Sequence, residues 1–284
     1  LTLAGWAIGL FALFRVLRHS RSIDKRHPAI AWVALLLGWC GAAAWLVWLL
    51  TDNYAWLNLA WQAGIWLFLL PVFFNVGHRM IPFFTASAMI RCRLDRPEWP
   101  LPVALACSAG HGVLQLLELP QWLWLCDLPL ALSALYLGYA WNLLRSLAVP
   151  MVAVLHIGVA WLGVAALLFS VQSLTLFASG RLILGLAPLH ALTIGFFSTV
   201  LLGMATRVSL GHSGLSINPQ RYTWLLFATL QIAAMLRIAA EMSPPDWRAI
   251  LYLSAAIAWL LCFLPWLTFY LPLFLKPRAD GLPG

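Results

Sequence analysis

Residues 148–171 read AVPMVAVLHIGVAWLGVAALLFSV and contain no Asp, Glu, Lys or Arg. The stretch is longer than the ~20 apolar residues that a helix needs to cross the hydrocarbon core of a bilayer. Pro150 stands near its start, where the missing N–H of proline is tolerated in a helix. The stretch therefore predicts a transmembrane helix that carries one histidine, His156.

The rest of the chain has the same apolar character. Apolar residues make up 63% and charged residues 9% of the 284 residues, against roughly 25% charged residues in ordinary soluble domains. No alternating pattern typical of strands is present. We therefore expect an all-α fold, a polytopic transmembrane helix bundle of about nine helices in a single domain, 1–284. The expected spans are 1–17, 29–50, 55–77, 100–118, 122–141, 148–171, 183–206, 222–240 and 249–271.

The basic residues alternate between the two ends of these segments. Fourteen of the 17 Lys and Arg follow the odd-numbered segments, whereas Arg181, Arg237 and Arg248 lie on the other side. By the positive-inside rule the larger group faces the cytoplasm, so we expect a cytoplasmic C-terminus. The net charge of +8 then indicates topology and contact with membrane lipid, and we expect no nucleic-acid partner.

The cysteines predict no special chemistry. Their number is odd and no CxxC occurs, so neither a disulfide framework nor a Cys-rich zinc site is expected. No GxSxG, HExxH, Walker loop or GxGxxG is present either. The cysteines are Cys40, Cys92, Cys107, Cys126 and Cys262.

Four histidines lie within or at the edge of the expected spans. Ionisable groups inside a bilayer are costly and usually face the interior of the bundle. Counted along the helices, His111 and His190 fall in the outer half, and His156 and His78 in the inner half. Neutral imidazole is a good ligand for haem iron and copper. The leading hypothesis is a haem held by His111 and His190 between segments 100–118 and 183–206.

Two local patterns surround these histidines. Ser108, His111, Gln115 and Glu118 recur at helical spacing and are expected to share one face of segment 100–118. Asn75 and His78 share a face at spacing i, i+3, and Pro82 predicts that the helix ends near Ile81. The competing interpretations are that these groups only form hydrogen bonds between packed helices, or that they line the path of a transporter or channel.

Two stretches carry a family resemblance. Residues 190–214 read HALTIGFFSTVLLGMATRVSLGHSG and residues 77–85 read GHRMIPFFT. Both resemble the NnrS family of bacterial membrane proteins. The resemblance implies a twelve-helix inner-membrane protein associated with haem b, copper, the nitric-oxide response and denitrification. Because the chain begins at Leu1 inside an apolar run, we expect that about three N-terminal helices, with a His-rich segment, are missing.

The candidate site follows from depth, spacing and this resemblance together. His111 and His190 are the expected ligands of haem or metal, and His156 and His78 form a second set. Arg79 and Arg207 are candidates for the haem propionates or for anionic lipid headgroups, and His212 is either a surface metal ligand or part of a helix end. Nitric oxide or a metal–nitrosyl species is the expected small partner. Whether the protein catalyses a reaction stays open, as does a purely structural role.

Overall fold

The computed structural model describes residues 1–89, 94–216 and 221–281. Within these ranges every regular element is a helix and no residue lies in a strand, which confirms the all-α prediction. Arg91 and Arg93, which contribute to the charge count, and Cys92 lie outside the described residues. The other four cysteines are free thiols.

Twelve α-helices occupy most of the described chain. They are α1 Thr2–His19, α2 Arg26–Thr51, α3 Tyr54–Gln62, α4 Leu70–Ala88, α5 Pro100–Leu116, α6 Trp124–Ala140, α7 Leu143–Ser146, α8 Pro150–Ser179, α9 Ala187–His190, α10 Thr199–His212, α11 Arg221–Met242 and α12 Pro245–Tyr270. Two π-helical segments join neighbouring α-helices, Ala63–Leu69 between α3 and α4 and Ala191–Ser198 between α9 and α10. Short 3₁₀ turns span Pro120–Trp122 and Leu271–Leu275.

Seven helical stretches of the described chain are long and apolar enough to cross a membrane. The expected spans 1–17 and 100–118 are also helical, as α1 and α5, but are not among these seven. A count of nine spans therefore stays a prediction. The seven are Arg26–Thr51, Tyr54–Ala88, Pro120–Ala140, Pro150–Ser179, Ala187–His212, Arg221–Met242 and Pro245–Leu275.

The expected helix end at Pro82 is wrong. Helix α4 continues through Pro82 to Ala88. A proline inside a helix removes one backbone hydrogen bond, that to the carbonyl four residues earlier. Unwinding the helix in apolar surroundings would leave several backbone groups without partners, which costs more. The pre-proline preference at Ile81 is therefore overridden.

The described chain divides into two compact units. The first comprises 1–80 and 98–130, and the second 81–97 and 131–284. In the first unit α2 packs against α3 and the π-helical segment Ala63–Leu69. In the second, α8 packs against the segment Ala191–Ser198 and α10, and α11 packs against α12. Met151, Leu202, Leu230 and Cys262 belong to its buried core.

Each unit brings together loops that the charge alternation assigns to one side. In the first, the Arg26 guanidinium donates to the Glu98 carboxylate at 2.8 Å. This contact lowers the pKa of Glu98 from its usual value. In the second, the backbone N–H of Ala279 donates to the carbonyl of Ser213 at 2.9 Å. The segment after α12 thus lies at the same end of its unit as the turn after α10.

A glycine in the second π-helical segment permits a close contact between helices. A Cβ built on Gly195 would lie 2.6 Å from the ring of Trp161 in α8. That ring is held in place, because its Nε1–H donates to Oε1 of Gln231 at 2.6 Å. The contact therefore cannot be relieved by a simple rotation of the indole.

We predict that Gly195→Ala destabilises the protein by about 1–3 kcal/mol, the usual cost of overpacking a filled core. Gly9→Ala is the matched control, because nothing lies within 4 Å of a Cβ at that position in α1. Thermal unfolding in detergent, followed by circular dichroism, measures both. Equal stability of the two variants would contradict the assigned packing.

Candidate functional site

A buried imidazole–carboxylate pair lies in the first unit. Nδ1 of His111 in α5 is 2.7 Å from Oδ1 of Asp127 in α6, and each side chain is only 1% exposed. A charged group this deep needs a partner, because the cost of desolvation is otherwise not offset. The second carboxylate oxygen, Oδ2 of Asp127, is buried and has no hydrogen-bond partner among the described residues. The contact with His111 therefore stabilises the buried carboxylate of Asp127.

The ring of His111 is also fixed by an aromatic neighbour. It stacks on Trp66, with 3.5 Å between ring centroids and 22° between ring planes. Trp66 belongs to the π-helical segment Ala63–Leu69, and its carbonyl accepts a hydrogen bond from Ser108 one turn before His111. Gly112 lets the two helices approach, since a Cβ there would lie 3.2 Å from Cβ of Trp66.

This arrangement determines which nitrogen of His111 can act as a ligand. When Nδ1–H donates to a carboxylate, the lone pair of a neutral imidazole lies on Nε2. A carboxylate behind the ring also orients a metal-bound histidine and raises its basicity. Nε2 of His111 lies 3.5 Å from Nε2 of Gln115. Asp127 and Trp66 thus hold the His111 imidazole in one orientation, with its Nε2 facing the Gln115 amide.

The expected polar face of segment 100–118 is present only in part. Ser108, His111 and Gln115 lie together as predicted. Glu118 does not join them, because α5 ends at Leu116 and Glu118 has a left-handed φ of 56° and is exposed.

His190 belongs to the second unit and has its own acidic neighbour. Its Nε2 lies 3.4 Å from Oε1 of Glu241 in α11, and both side chains are mostly buried. The Glu241 carboxylate also accepts hydrogen bonds from the Tyr252 hydroxyl at 3.0 Å and the backbone N–H of Leu186 at 3.2 Å. His190 directly precedes the π-helical segment Ala191–Ser198.

His156 also lies in the second unit, 1% exposed. The hydroxyl of Thr85 donates to the carbonyl of Ile81 at 2.8 Å, so its oxygen is left to accept from His156 Nε2–H at 3.0 Å. Nδ1 of His156 is then the unprotonated nitrogen of the neutral ring. That atom is buried and has no hydrogen-bond partner in the described part of the chain.

His78 lies beside a histidine that the sequence analysis did not select. The rings of His78 and His27 are stacked, with 5.9 Å between centroids. Asn75 holds His27 by two hydrogen bonds, from His27 Nδ1–H at 2.8 Å and to the His27 carbonyl at 2.9 Å. The predicted common face of Asn75 and His78 is thus occupied by His27, with Nε2 as its unprotonated nitrogen when the ring is neutral.

The remaining candidates are more peripheral. The guanidinium of Arg207 lies over the ring of Phe84, 4.0 Å from its centroid. Arg79 and His212 are exposed, in α4 and at the end of α10. His111 and His78 fall in the first unit, and His190, His156, Arg207 and His212 in the second. The pairing of His111 with His190 stays a prediction.

No group of three or more His, Cys, Asp or Glu that could hold a metal ion occurs among residues 1–89, 94–216 and 221–281. The histidines instead each have different neighbours: Asp127, Glu241, Thr85 and His27. The described residues therefore offer a metal ion at most two such side chains at any one place.

Three partner residues were missed at the sequence level. Asp127 had a usable signal, because a carboxylate within the apolar segment 122–141 is costly unless another group stabilises it. Glu241 and His27 stand at helix ends, where charged and polar residues are common, so spacing alone does not distinguish them.

These features define a class of protein. It is helical, has several potential membrane spans, and pairs imidazoles with buried or half-buried acids. The chain belongs to the NnrS family, since the family model described as NnrS protein matches residues 1–278. This match confirms the resemblance carried by residues 77–85 and 190–214. No curated protein and no solved structure matches the chain.

We predict that Asp127→Ala destabilises the protein by about 3 kcal/mol or more, as expected when one partner of a buried pair is removed. Asp127→Asn should cost less, because its amide oxygen still accepts from His111 Nδ1–H. Unfolding by denaturant in detergent micelles measures both. The exposed Asp95→Ala is the control, and a loss no larger than that of the control would contradict a stabilising pair.

Proposed function

We propose that this protein is a haem- and copper-associated protein of the bacterial inner membrane that acts in the nitric-oxide response and in resistance to nitrosative stress. Membership of the NnrS family supports the cofactors and the biological role. The observation that carries the haem assignment in this chain is the buried His111–Asp127 pair. We propose no catalysed reaction.

The residues around His111 suit a histidine that would hold haem iron. Asp127 holds the imidazole in the tautomer that leaves Nε2 unprotonated, and Trp66 fixes the plane of the ring. Complete burial of His111 keeps water away from this nitrogen. A haem bound here would supply an iron centre, the group with which nitric oxide reacts.

The second haem ligand and the propionate partners are proposed from the sequence. His190 is the first choice for the second ligand, and His156 is the other, through its buried Nδ1. Arg207 is the better candidate for a propionate, because its guanidinium has an aromatic contact but no hydrogen-bond acceptor among the described residues. Arg79 is exposed and suits a lipid headgroup equally well.

The copper assignment has weaker support. His27 and His78 lie side by side, and imidazole is a suitable copper ligand. A third ligand does not accompany them in the described chain. His212 stays a possible surface ligand. We derive no chemical step through copper.

The proposed topology has nine spans with the C-terminus in the cytoplasm. It adds α1 and α5 to the seven long apolar stretches. At 1.5 Å per residue, the 17 residues of α5 cover about 25 Å, close to the ~30 Å hydrocarbon core. The excess of Lys and Arg after the odd-numbered segments gives the orientation.

A transporter or channel is the alternative function, in which the polar groups line a path. The buried pair argues against it, since His111 and Asp127 are each 1% exposed and bind one another. Flux of a solute into proteoliposomes that depends on His111 would favour the alternative.

The purified protein, expressed with adequate haem supply, is predicted to show a Soret band that shifts on anaerobic addition of nitric oxide. His111→Ala should abolish or shift the band, because an axial ligand is lost. The exposed His19→Ala should leave it unchanged. No Soret band in the wild type would contradict the haem assignment, and an unchanged band in His111→Ala would reject His111 as a ligand.

A further inference from the structure

A groove on the second unit has no role in the proposed haem site. Its volume is about 530 Å³, within the roughly 300–1,000 Å³ range of small-molecule pockets. Helices α11 and α12 form its walls, and Ile194 of the π-helical segment Ala191–Ser198 contributes to it. Most of the lining is apolar, from Ala233, Ala255, Ala256, Trp259 and Leu260.

One cation lines this apolar groove. Arg237 lies in α11, five residues before its end at Met242, which places it about 7 Å along the axis from that end. Its guanidinium carbon lies 4.1 Å from the centroid of the Tyr252 ring. Within the described residues its guanidinium forms no hydrogen bond and no ion pair within 4.0 Å, although Glu241 and His190 are close enough to interact with its charge. All five N–H donors therefore lack a protein acceptor there.

The nearby carboxylate of Glu241 interacts with this cation electrostatically but does not contact it. Glu241, four residues later on α11, is more than 4.0 Å from the Arg237 nitrogens, because no ion pair forms between them. Its oxygens instead accept from Tyr252 and Leu186 and approach His190. Arg237 thus presents N–H donors without a protein acceptor at the polar end of an apolar groove, and Glu241 offsets only part of its charge from beyond contact distance.

Topology does not account for this arginine. The charge alternation assigns Arg237 to the side that holds only three of the 17 basic residues. A basic residue there opposes the positive-inside bias, and its guanidinium, which lies over the Tyr252 ring, is partly desolvated. A bound anion would offset the cost of that desolvation.

We propose that this groove binds one anionic phospholipid, with its phosphate on Arg237 and an acyl chain along α12. Trp259 lies seven residues beyond Tyr252, about 10 Å deeper along the helix. The lipid headgroup and the acyl chain therefore contact different parts of the groove. Leu260 and Ala256 are exposed, which leaves the groove open to the surrounding lipid. The charge of Arg237 and the apolar walls together match an anion joined to a hydrocarbon chain.

The test measures thermal unfolding of the purified full chain in detergent during titration with dioleoyl-phosphatidylglycerol, dioleoyl-phosphatidylcholine or oleate. The wild type should bind phosphatidylglycerol more tightly, and Arg237→Gln should weaken that binding about fivefold. Binding of phosphatidylcholine should change less, because its choline cation already offsets the charge of its phosphate. Arg248→Gln is the matched control at the same end of the α11–α12 hairpin, because Arg248 is exposed and donates to the carbonyl of Ser243.

A second variant tests whether the groove binds the acyl chain and leaves Arg237 unchanged. Ala256→Leu places a larger side chain in the groove at an exposed position, and it should weaken binding of both lipids. This variant decides the question even if Arg237→Gln does not fold.

Four results would overturn the proposal. They are equal affinity of the wild type for the two lipids, unchanged binding in Arg237→Gln, unchanged binding in Ala256→Leu, and an Arg237-dependent effect of oleate as strong as that of phosphatidylglycerol. Loss of bound haem in Arg237→Gln would equally overturn it, because the groove would then belong to the haem site.

Discussion

The low polarity of its expected surroundings is the constraint on which this structure depends. In a bilayer, a polar group that finds no partner within the protein costs several kcal/mol. The two almost fully buried histidines accordingly form hydrogen bonds, His111 with Asp127 and His156 with Thr85. His190 lies 3.4 Å from Glu241, and His78 stacks on His27. The His111–Asp127 pair is the extreme case, because both side chains are almost fully buried.

The π-helical segments obey the same constraint. Such segments are rare and frequent at functional sites, and here each adjoins one of the two leading histidines. Ser108 donates to the carbonyl of Trp66 in the first segment. In the second, the hydroxyls of Thr193 and Ser198 donate to the carbonyls of Leu189 and Thr193. Side-chain hydroxyls thus support the irregular backbone that positions the rings.

The helical fold and the family could be predicted from the sequence, because a membrane helix is specified by local composition. The segment 148–171 and the other apolar runs predicted the all-helical fold, and two short stretches identified the family. The residues that contact the histidines could not be predicted, because Asp127 lies 16 residues from His111 and Glu241 lies 51 residues from His190. Helix spacing fixes which residues share a face, but the identity of the facing residue depends on how helices pack. The predicted helix end at Pro82 was wrong for a similar reason. The local preference of the pre-proline residue is weaker than the cost of leaving backbone groups without hydrogen bonds.

We propose that Asp127 orients and polarises His111 as a haem ligand. A carboxylate behind the ring makes the imidazole more basic and so favours the ferric state. The most direct measurement is the haem midpoint potential of the reconstituted protein. We expect a higher potential in Asp127→Asn than in the wild type, and no change in the exposed Glu118→Gln. An unchanged potential in Asp127→Asn would contradict it.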